Sequence, residues 1–126
     1  MVKDKLEELY EALREDEQLA GICIRSFERP ETLADDETSI VIIPVGSPMQ
    51  AAYGSNSHFA KVFLYQVNVE SVKRMECKEL QRKVETILEA QGFYQTDGGL
   101  DEWVPDIKRY ADARTYRGVS ALYDEY

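Results

Sequence analysis

The sequence has little of what catalysis and metal binding need. Its 126 residues include one histidine, His58, and two cysteines, Cys23 and Cys77. The cysteines lack the close spacing of zinc motifs, and one histidine does not complete such a site. The sequence also lacks a Gly-x-Ser-x-Gly elbow, a phosphate-binding lysine loop and a dinucleotide fingerprint. We therefore expect no catalytic, metal or cofactor site, and we interpret the chain as a non-enzyme.

Two short clusters come nearest to active chemistry. Asp35, Asp36 and Glu37 could attract calcium, but they lack the alternating ligands and the glycine of an EF-hand loop. A solvated acidic loop is the simpler interpretation. Ser57 and His58 are neighbours, yet successive residues of a strand face opposite ways, so they would not form a nucleophile–base pair.

Long apolar runs are missing too. No run approaches the roughly 20 residues that cross a bilayer, so we expect no membrane partner. The N-terminus, MVKDKLEELYEALRED, is charged from its first turn and lacks the apolar region that a secretory signal requires. The apolar content of 44% is that of a folded globular chain, and 126 residues suit one domain. We expect an intracellular protein with reduced cysteines.

Basic residues are in the minority, and the formal charge is −9. Residues 1–20 carry seven acidic residues against three basic ones, and residues 28–37 carry five against one. The tail ALYDEY adds two more acids. Because this excess repels phosphates, we expect no sequence-specific binding of DNA or RNA. The charge serves solubility, or it forms a surface that docks on a basic partner or lets DNA slide past.

The hydrophobic pattern predicts an α+β fold in the order α-β-β-β-α-β-β, with a mostly antiparallel sheet flanked by helices. We expect one domain over residues 1–126. Gly118 in the final strand is a possible bulge site, and Asp97-Gly98-Gly99 is a predicted turn. The predicted elements are a helix ending at Gly21, strands at 22–27, 39–43 and 58–70, a helix from Ser71 to Gln91, and strands near 93–96 and 111–122.

The Gly/Ser/Asn-rich segment 46–57 is predicted to be a loop, and it is long for a hairpin connection. The strand after it, at thirteen residues, exceeds the usual five or six, so it bends or extends past the domain. Long loops in compact domains are often functional, although a floppy hairpin tip is the plain alternative.

Several segments together resemble the bacteriophage and prophage tail-completion proteins, also called tail terminators or head–tail joining proteins. The matching pieces are the N-terminal helix ending at Leu19-Ala20-Gly21, the strand SIVIIPV, the long loop leading into VFLYQVNV, the helix ECKELQRKVETILEAQGF, and the closing PDIKRYADARTYRGVSALY with Tyr116. The likeness spans nearly the whole chain and consists of residue types in order.

This resemblance implies a structural subunit that forms a homo-oligomeric ring, usually a hexamer, on the tail tube. Its partners would be itself, the tail tube and the head-connector proteins, with assembly in the bacterial cytoplasm and a final place in the virion tail or neck. We expect Glu31, Asp35, Asp36 and Glu37 to form an acidic contact or lumen surface. Candidates for the subunit interface, the tail-tube contact or the lumen are Pro48, Met49, Gln50, Tyr53, Asn56, His58 and Lys61.

Two other functions compete with this one. A small acidic inhibitor that mimics DNA would need acids spaced along one extended face, whereas here they cluster in the first helix and one loop. An unrecognised enzyme would need a pocket with converging polar groups, and the sequence shows no sign of one.

Overall fold

The computed structural model describes residues 2–53 and 58–120, with backbone only for residues 50–53 and 58–60. The elements alternate much as the hydrophobic pattern predicts. In chain order they are α1 (Lys5–Glu15), a 3₁₀ turn (Glu17–Leu19), β1 (Cys23–Ser26), β2 (Ser39–Pro44), β3 (Met49–Tyr53), β4 (His58–Ser71), α2 (Arg74–Ala90), β5 (Tyr94–Val104) and β6 (Arg109–Val119).

The six strands form one sheet in the order β1-β2-β4-β6-β5, and β3 pairs with the N-terminal part of β4. β1 and β2 are parallel, while the other pairs are antiparallel. The predicted fold class, an α+β domain with a mostly antiparallel sheet, is confirmed. β4 is long because it pairs with three strands: with β6 along one side, and with β2 and then β3 along the other.

Both helices pack on one face of the sheet, which we call the helix face. α1 lies against β1 and β2, and α2 lies against β4, β5 and β6. Alternate strand residues point into this layer, as the two-residue period of a strand requires. The core joins the apolar stripes of the helices to residues Ile24, Ile40, Ile42, Phe63, Tyr65, Val67, Val69, Phe93 and Tyr116.

The other face, which we call the open face, has no helix on it in the described part of the chain. In β4 it carries Leu64, Gln66, Asn68 and Glu70, and all four are half-buried. Val41 of β2, at 4% exposure, lies at its centre. An uncovered sheet face with only partial exposure leaves room for contact with another molecule.

The helix ends follow local chemistry. Asp4 caps α1 through its side chain, which accepts a hydrogen bond from Leu6 N at 3.0 Å. Ser71, the predicted start of the second helix, lies outside α2, which begins at Arg74. Its hydroxyl accepts from Lys73 N at 3.0 Å and donates to Glu76 at 2.6 Å. Ser71 therefore orders the entry to α2 from two residues further back.

Two segments differ from the sequence interpretation. The predicted loop 46–57 contains strand β3. The predicted turn Asp97-Gly98-Gly99 is instead a bulge inside the continuous strand β5, where the register with β6 shifts between Thr96 and Gly99. Gly99 has φ +115°, and a Cβ on it would lie 2.1 Å from the Ala113 carbonyl oxygen, so no side chain fits there.

Candidate interaction surfaces

The buried polar groups of the helix face are paired with one another and connect α2 to the sheet. Gln81 of α2 donates two hydrogen bonds of 2.8 Å, one to the Val67 carbonyl and one to the Asp112 carbonyl. Tyr116 donates its hydroxyl to Gln81 Oε1 at 3.1 Å. Burial raises the pKa of Tyr116, so its phenol stays protonated. This network ties α2 to β4 and β6.

Asp112 is the buried charge of the helix face. Its carboxylate contacts Lys78 of α2, and it accepts from Arg114 Nε at 3.0 Å. Lys78 also lies 2.7 Å from Asp101 of β5, which Arg74 contacts at 2.8 Å. Each member therefore has an opposite charge beside it. Sequence reasoning missed Gln81 and Asp112, although polar residues within the predicted helix and the final strand were the available signal.

Burial also makes the thiol of Cys77 unreactive. Cys77 has 1% exposure, and burial raises its pKa to about 11, so it is protonated at neutral pH. Cys23 is half-buried on β1, and both cysteines are free. Within residues 2–53 and 58–120, no three metal-ligating side chains come close enough to hold an ion. No helix in that part of the chain is long and apolar enough to cross a membrane.

The four acidic residues of the predicted surface lie on a turn segment between β1 and β2. Glu31, Asp35, Asp36 and Glu37 are all exposed. Arg29 organises the segment by donating to three of its carbonyl oxygens, those of Leu33, Ala34 and Glu37, at 3.3, 2.6 and 2.8 Å. The four carboxylates therefore face solvent from a defined backbone.

Arg109 anchors this segment to the sheet. The guanidinium is only 6% exposed, forms a 2.9 Å ion pair with Glu70 and donates to the Asp35 carbonyl at 2.7 Å. A shallow cleft of about 410 Å³ opens beside it, lined by Asp35, Asp36 and Asp106 among others. Sequence reasoning did not single out Arg109, since an arginine that begins a strand is usually exposed.

The predicted interface set belongs to the β3–β4 hairpin. Gln50 lies opposite Lys61, and Tyr53 lies opposite His58. Asn56 lies outside the described residues, and no side-chain geometry is described for residues 50–60. Pro48 and Met49 are exposed, and Met49 lies opposite Val62.

Beside the hairpin the open face forms a cleft of about 690 Å³. Its apolar floor comes from Met49, Val62 and Leu64, and its charged lining consists of Lys61, Arg117 and Asp97. Val119, at 47% exposure, lies opposite Val62. Apolar surface with a polar and charged rim is typical of a protein contact.

The two predicted surfaces lie at opposite ends of the sheet. The acidic segment is held by Arg109 where β6 begins, and the hairpin cleft includes Arg117 near its end. Ten residue steps separate the ends of β6, or about 34 Å. Charge divides in the same way, because no acidic residue occurs between Glu37 and Glu70. The acidic segment thus concentrates carboxylates at one end of the sheet, whereas the hairpin cleft at the other end is lined by Lys61, Arg117 and one acid, Asp97.

The two sheet edges carry exposed apolar groups that the sequence analysis left unassigned. Phe27 follows β1 and is 61% exposed. On β5, at the other edge, Tyr94, Leu100 and Trp103 are 59%, 43% and 46% exposed. The sequence did not reveal them as exposed, because the pattern alone does not tell an edge strand from a central one.

No protein-family model and no curated protein sequence matches the chain. The fold, however, is found in solved structures. One of them is a chain of the virion of a native gene transfer agent particle, with a TM-score of 0.55, 14% sequence identity and 90% of each chain covered. At this identity the likeness shows a shared fold, and it extends over nearly the whole of both chains.

Proposed function

We propose that this protein is a structural subunit of a phage-like virion, and that it forms a ring which caps the tail tube and joins it to the head connector. The main support is the fold, which a chain of a gene transfer agent virion shares across 90% of both chains. The segment order that resembles tail-completion proteins is an independent argument from sequence.

The distribution of contact surfaces supports a ring. A ring needs a heterologous interface, in which one patch of a subunit meets a different patch of the next, and closure then limits growth. The molecule offers unlike surfaces of this kind, among them the exposed edges of β1 and β5 and the apolar hairpin cleft. A finite ring is also what stops the growth of a tube.

The charge pattern supports passage of DNA through such a ring. The exposed carboxylates at 31–37 lie on an ordered segment, so their field is fixed in direction. Acids that line a lumen repel phosphates and keep DNA from sticking. A DNA-mimicking inhibitor is not favoured, because these acids cluster in one short turn segment and are not spaced along an extended face.

The first test is molar mass by light scattering across concentration, with negative-stain imaging of the same fractions. We expect rings of about six subunits with an open centre, held by heterologous contacts. Monomers that also fail to bind a tail tube would overturn the proposal.

A deletion of residues 48–56 tests the role of the hairpin. It removes β3 but keeps the β2–β4 ladder, which extends from Ser39 to Pro44. We expect circular dichroism and the melting transition of a folded protein, together with loss of assembly. The matched control neutralises Asp35 and Asp36 to Asn and should leave the ring intact. Unimpaired assembly of the deletion variant would show that the hairpin is not an interface.

A further inference from the structure

The strand order leaves free edges at β1 and β5, and β3, which pairs only with β4 among the described strands, has a third. β1 and β5 end the sheet, and no strand within residues 2–53 and 58–120 pairs with the outer side of either. Exposed edges with apolar residues are sites of strand pairing between chains. A groove of about 230 Å³ extends beside β1, lined by Tyr10, Arg14, Ile22 and Ile24 among others, so space exists for an incoming side chain.

Phe27 shows that the β1 edge is strained as well as exposed. Its φ is +73°, and Glu28 N donates across it to the Ser26 carbonyl at 2.9 Å, which closes a tight turn of the rare positive-φ form. A bulky residue seldom adopts this conformation, and such strain is concentrated at functional positions. The turn presents an aromatic ring to solvent at 61% exposure.

We propose that the β1 edge of one copy pairs with the β5 edge of the next copy, antiparallel, with Arg25 opposite Glu102. This inference rests on the proposed function only where it assumes that the paired subunits close into a ring. Its direction follows from the sheet: β1 and β2 are parallel, and three antiparallel steps then lead to β5. If the subunits are related by rotation about an axis along the strands, β5 of one copy meets β1 of the next antiparallel.

The register follows from the faces. Arg25 is paired with Val41 and Glu102 with Ala111, so both side chains lie on the open face. Ile24 and Trp103 both lie on the helix face, where Ile24 is part of the core and Trp103 contacts Tyr110 at 4.9 Å between ring centroids. Antiparallel partners must share a face, and a register that places Arg25 opposite Glu102 meets this condition at every pair.

The same register matches the exposed side chains. Phe27, in the turn directly after β1, comes near Leu100 of the second copy, so two exposed apolar groups lie close to each other. Trp103 of the second copy comes opposite Ile24, beside the groove that flanks β1. Aromatic cross-strand pairs of this kind are the stabilising unit of a sheet.

The charges are complementary as well. Arg25 is exposed, and its guanidinium donates to the carbonyl of Ile24 at 2.9 Å, in its own strand. Glu102 is exposed and makes no ion pair with the described part of the chain. Asp101, its neighbour on the helix face, is already paired with Arg74 and Lys78. The free carboxylate of β5 therefore lies where the exposed arginine of β1 would arrive.

The substitution Val104→Cys tests the register, because it places a thiol opposite the native Cys23 of the next copy. Within one chain β1 and β5 are four strand spacings apart, about 19 Å, so an internal disulfide between these positions is impossible. Diamide supplies the oxidant, and it takes up the two electrons and two protons that the thiols release. We expect a ladder of disulfide-linked multimers on a non-reducing gel, and the ladder should collapse with a reductant.

Two controls fix the interpretation. Leu100→Cys lies on the same edge and face but about 13 Å along β5, so it should not crosslink to Cys23. Cys23→Ser in the Val104→Cys background should abolish the ladder.

A further variant, Phe27→Gly, removes the aromatic side chain and the strained φ together. It should therefore raise the melting temperature while weakening self-association about tenfold or more.

The outcomes separate this inference from the proposed function. Rings without a Val104→Cys ladder would overturn the register and leave the ring standing. A ladder of dimers only, with no ring in negative stain, would support the edge contact and count against closure. The absence of both at high concentration would overturn the edge contact.

Discussion

The same strands build both faces of the sheet, yet the two faces differ in how water is excluded. Along β4, Phe63, Tyr65, Val67 and Val69 point to the helices and are at most 4% exposed. The alternating residues Leu64, Gln66, Asn68 and Glu70 point to the open face and are half-buried. The chain's own helices bury one face, whereas the other face keeps partial contact with water.

The contrast extends to polar groups. On the helix face the buried side chains Gln81, Tyr116 and Asp112 all have hydrogen-bond or ionic partners, since an unsatisfied group there would cost about 1–3 kcal/mol. On the open face Gln66 donates to Asn68 at 2.7 Å, and both retain access to water. Substitutions of buried residues on the helix face should therefore lower the free energy of unfolding strongly, and substitutions of half-buried or exposed residues on the open face should lower it little.

The largest difference should appear between two neighbouring aromatics, Phe93 and Tyr94. Phe93 is 1% exposed, contacts Tyr65 at 5.8 Å between ring centroids, and lies under Gly118. Phe93→Ala should lower the free energy of unfolding by about 3–5 kcal/mol because it leaves a cavity. Tyr94→Ala, at an exposed position, should change it by less than about 0.5 kcal/mol. Urea denaturation of both variants measures the contrast, and similar losses would contradict it.

A second, smaller difference should separate two acids. Asp112→Ala removes the partner of Lys78 and Arg114 in a buried place, and we expect a loss of about 3 kcal/mol. Glu102→Ala on the open face, measured where the chain is monomeric, should stay within about 0.5 kcal/mol. Chemical denaturation at low and high salt checks both. A loss below about 1 kcal/mol for Asp112→Ala would mean that the other carboxylates compensate, Asp101 beside Lys78 and Glu85 at 3.8 Å from Arg114.

The smallest effect concerns pH at the entry to α2. Hydrogen bonds from Ser71 and then Thr38 hold the pKa of Glu76 below its ordinary value of 4.5, against desolvation. A lowered folded-state pKa adds stability that is present above the unfolded pKa and disappears as pH falls through the folded value. Urea midpoints from pH 6 down to pH 3 should therefore fall less steeply in Glu76→Gln than in the parent chain. Equal slopes would show that Glu76 does not contribute.

Much of the fold could be predicted because periodicity carries it. The stripe of Leu6, Leu9 and Leu13 marks α1, and alternation marks β4. The sequence analysis missed β3 because its residues lie in a Gly/Ser-rich segment, and it divided β5 because Asp97-Gly98-Gly99 has turn composition. Local composition does not distinguish a turn from a bulge, because pairing with the neighbouring strand decides which of the two forms.

The predicted site residues divide in the same way. The acids at 31–37 were identifiable, since charge is a property of composition. Their separation from the hairpin by the length of β6 was not, because it depends on which strands pair. Phe27 and Trp103 were missed as contact candidates, because exposure at a sheet edge depends on the strand order.

The sequence by itself determined the secondary-structure classes, the acidic excess and the lack of catalytic motifs, since each follows from residue type and local spacing. Only the tertiary structure decided which strands became edges, which face the helices covered and why Gly118 is a glycine. A Cβ at that position would lie 2.7 Å from the ring of Phe93, a contact across 25 residues of chain. The predicted bulge at Gly118 is wrong, because β6 pairs with β4 there in regular register. Such long-range contacts depend on topology, which local patterns do not encode.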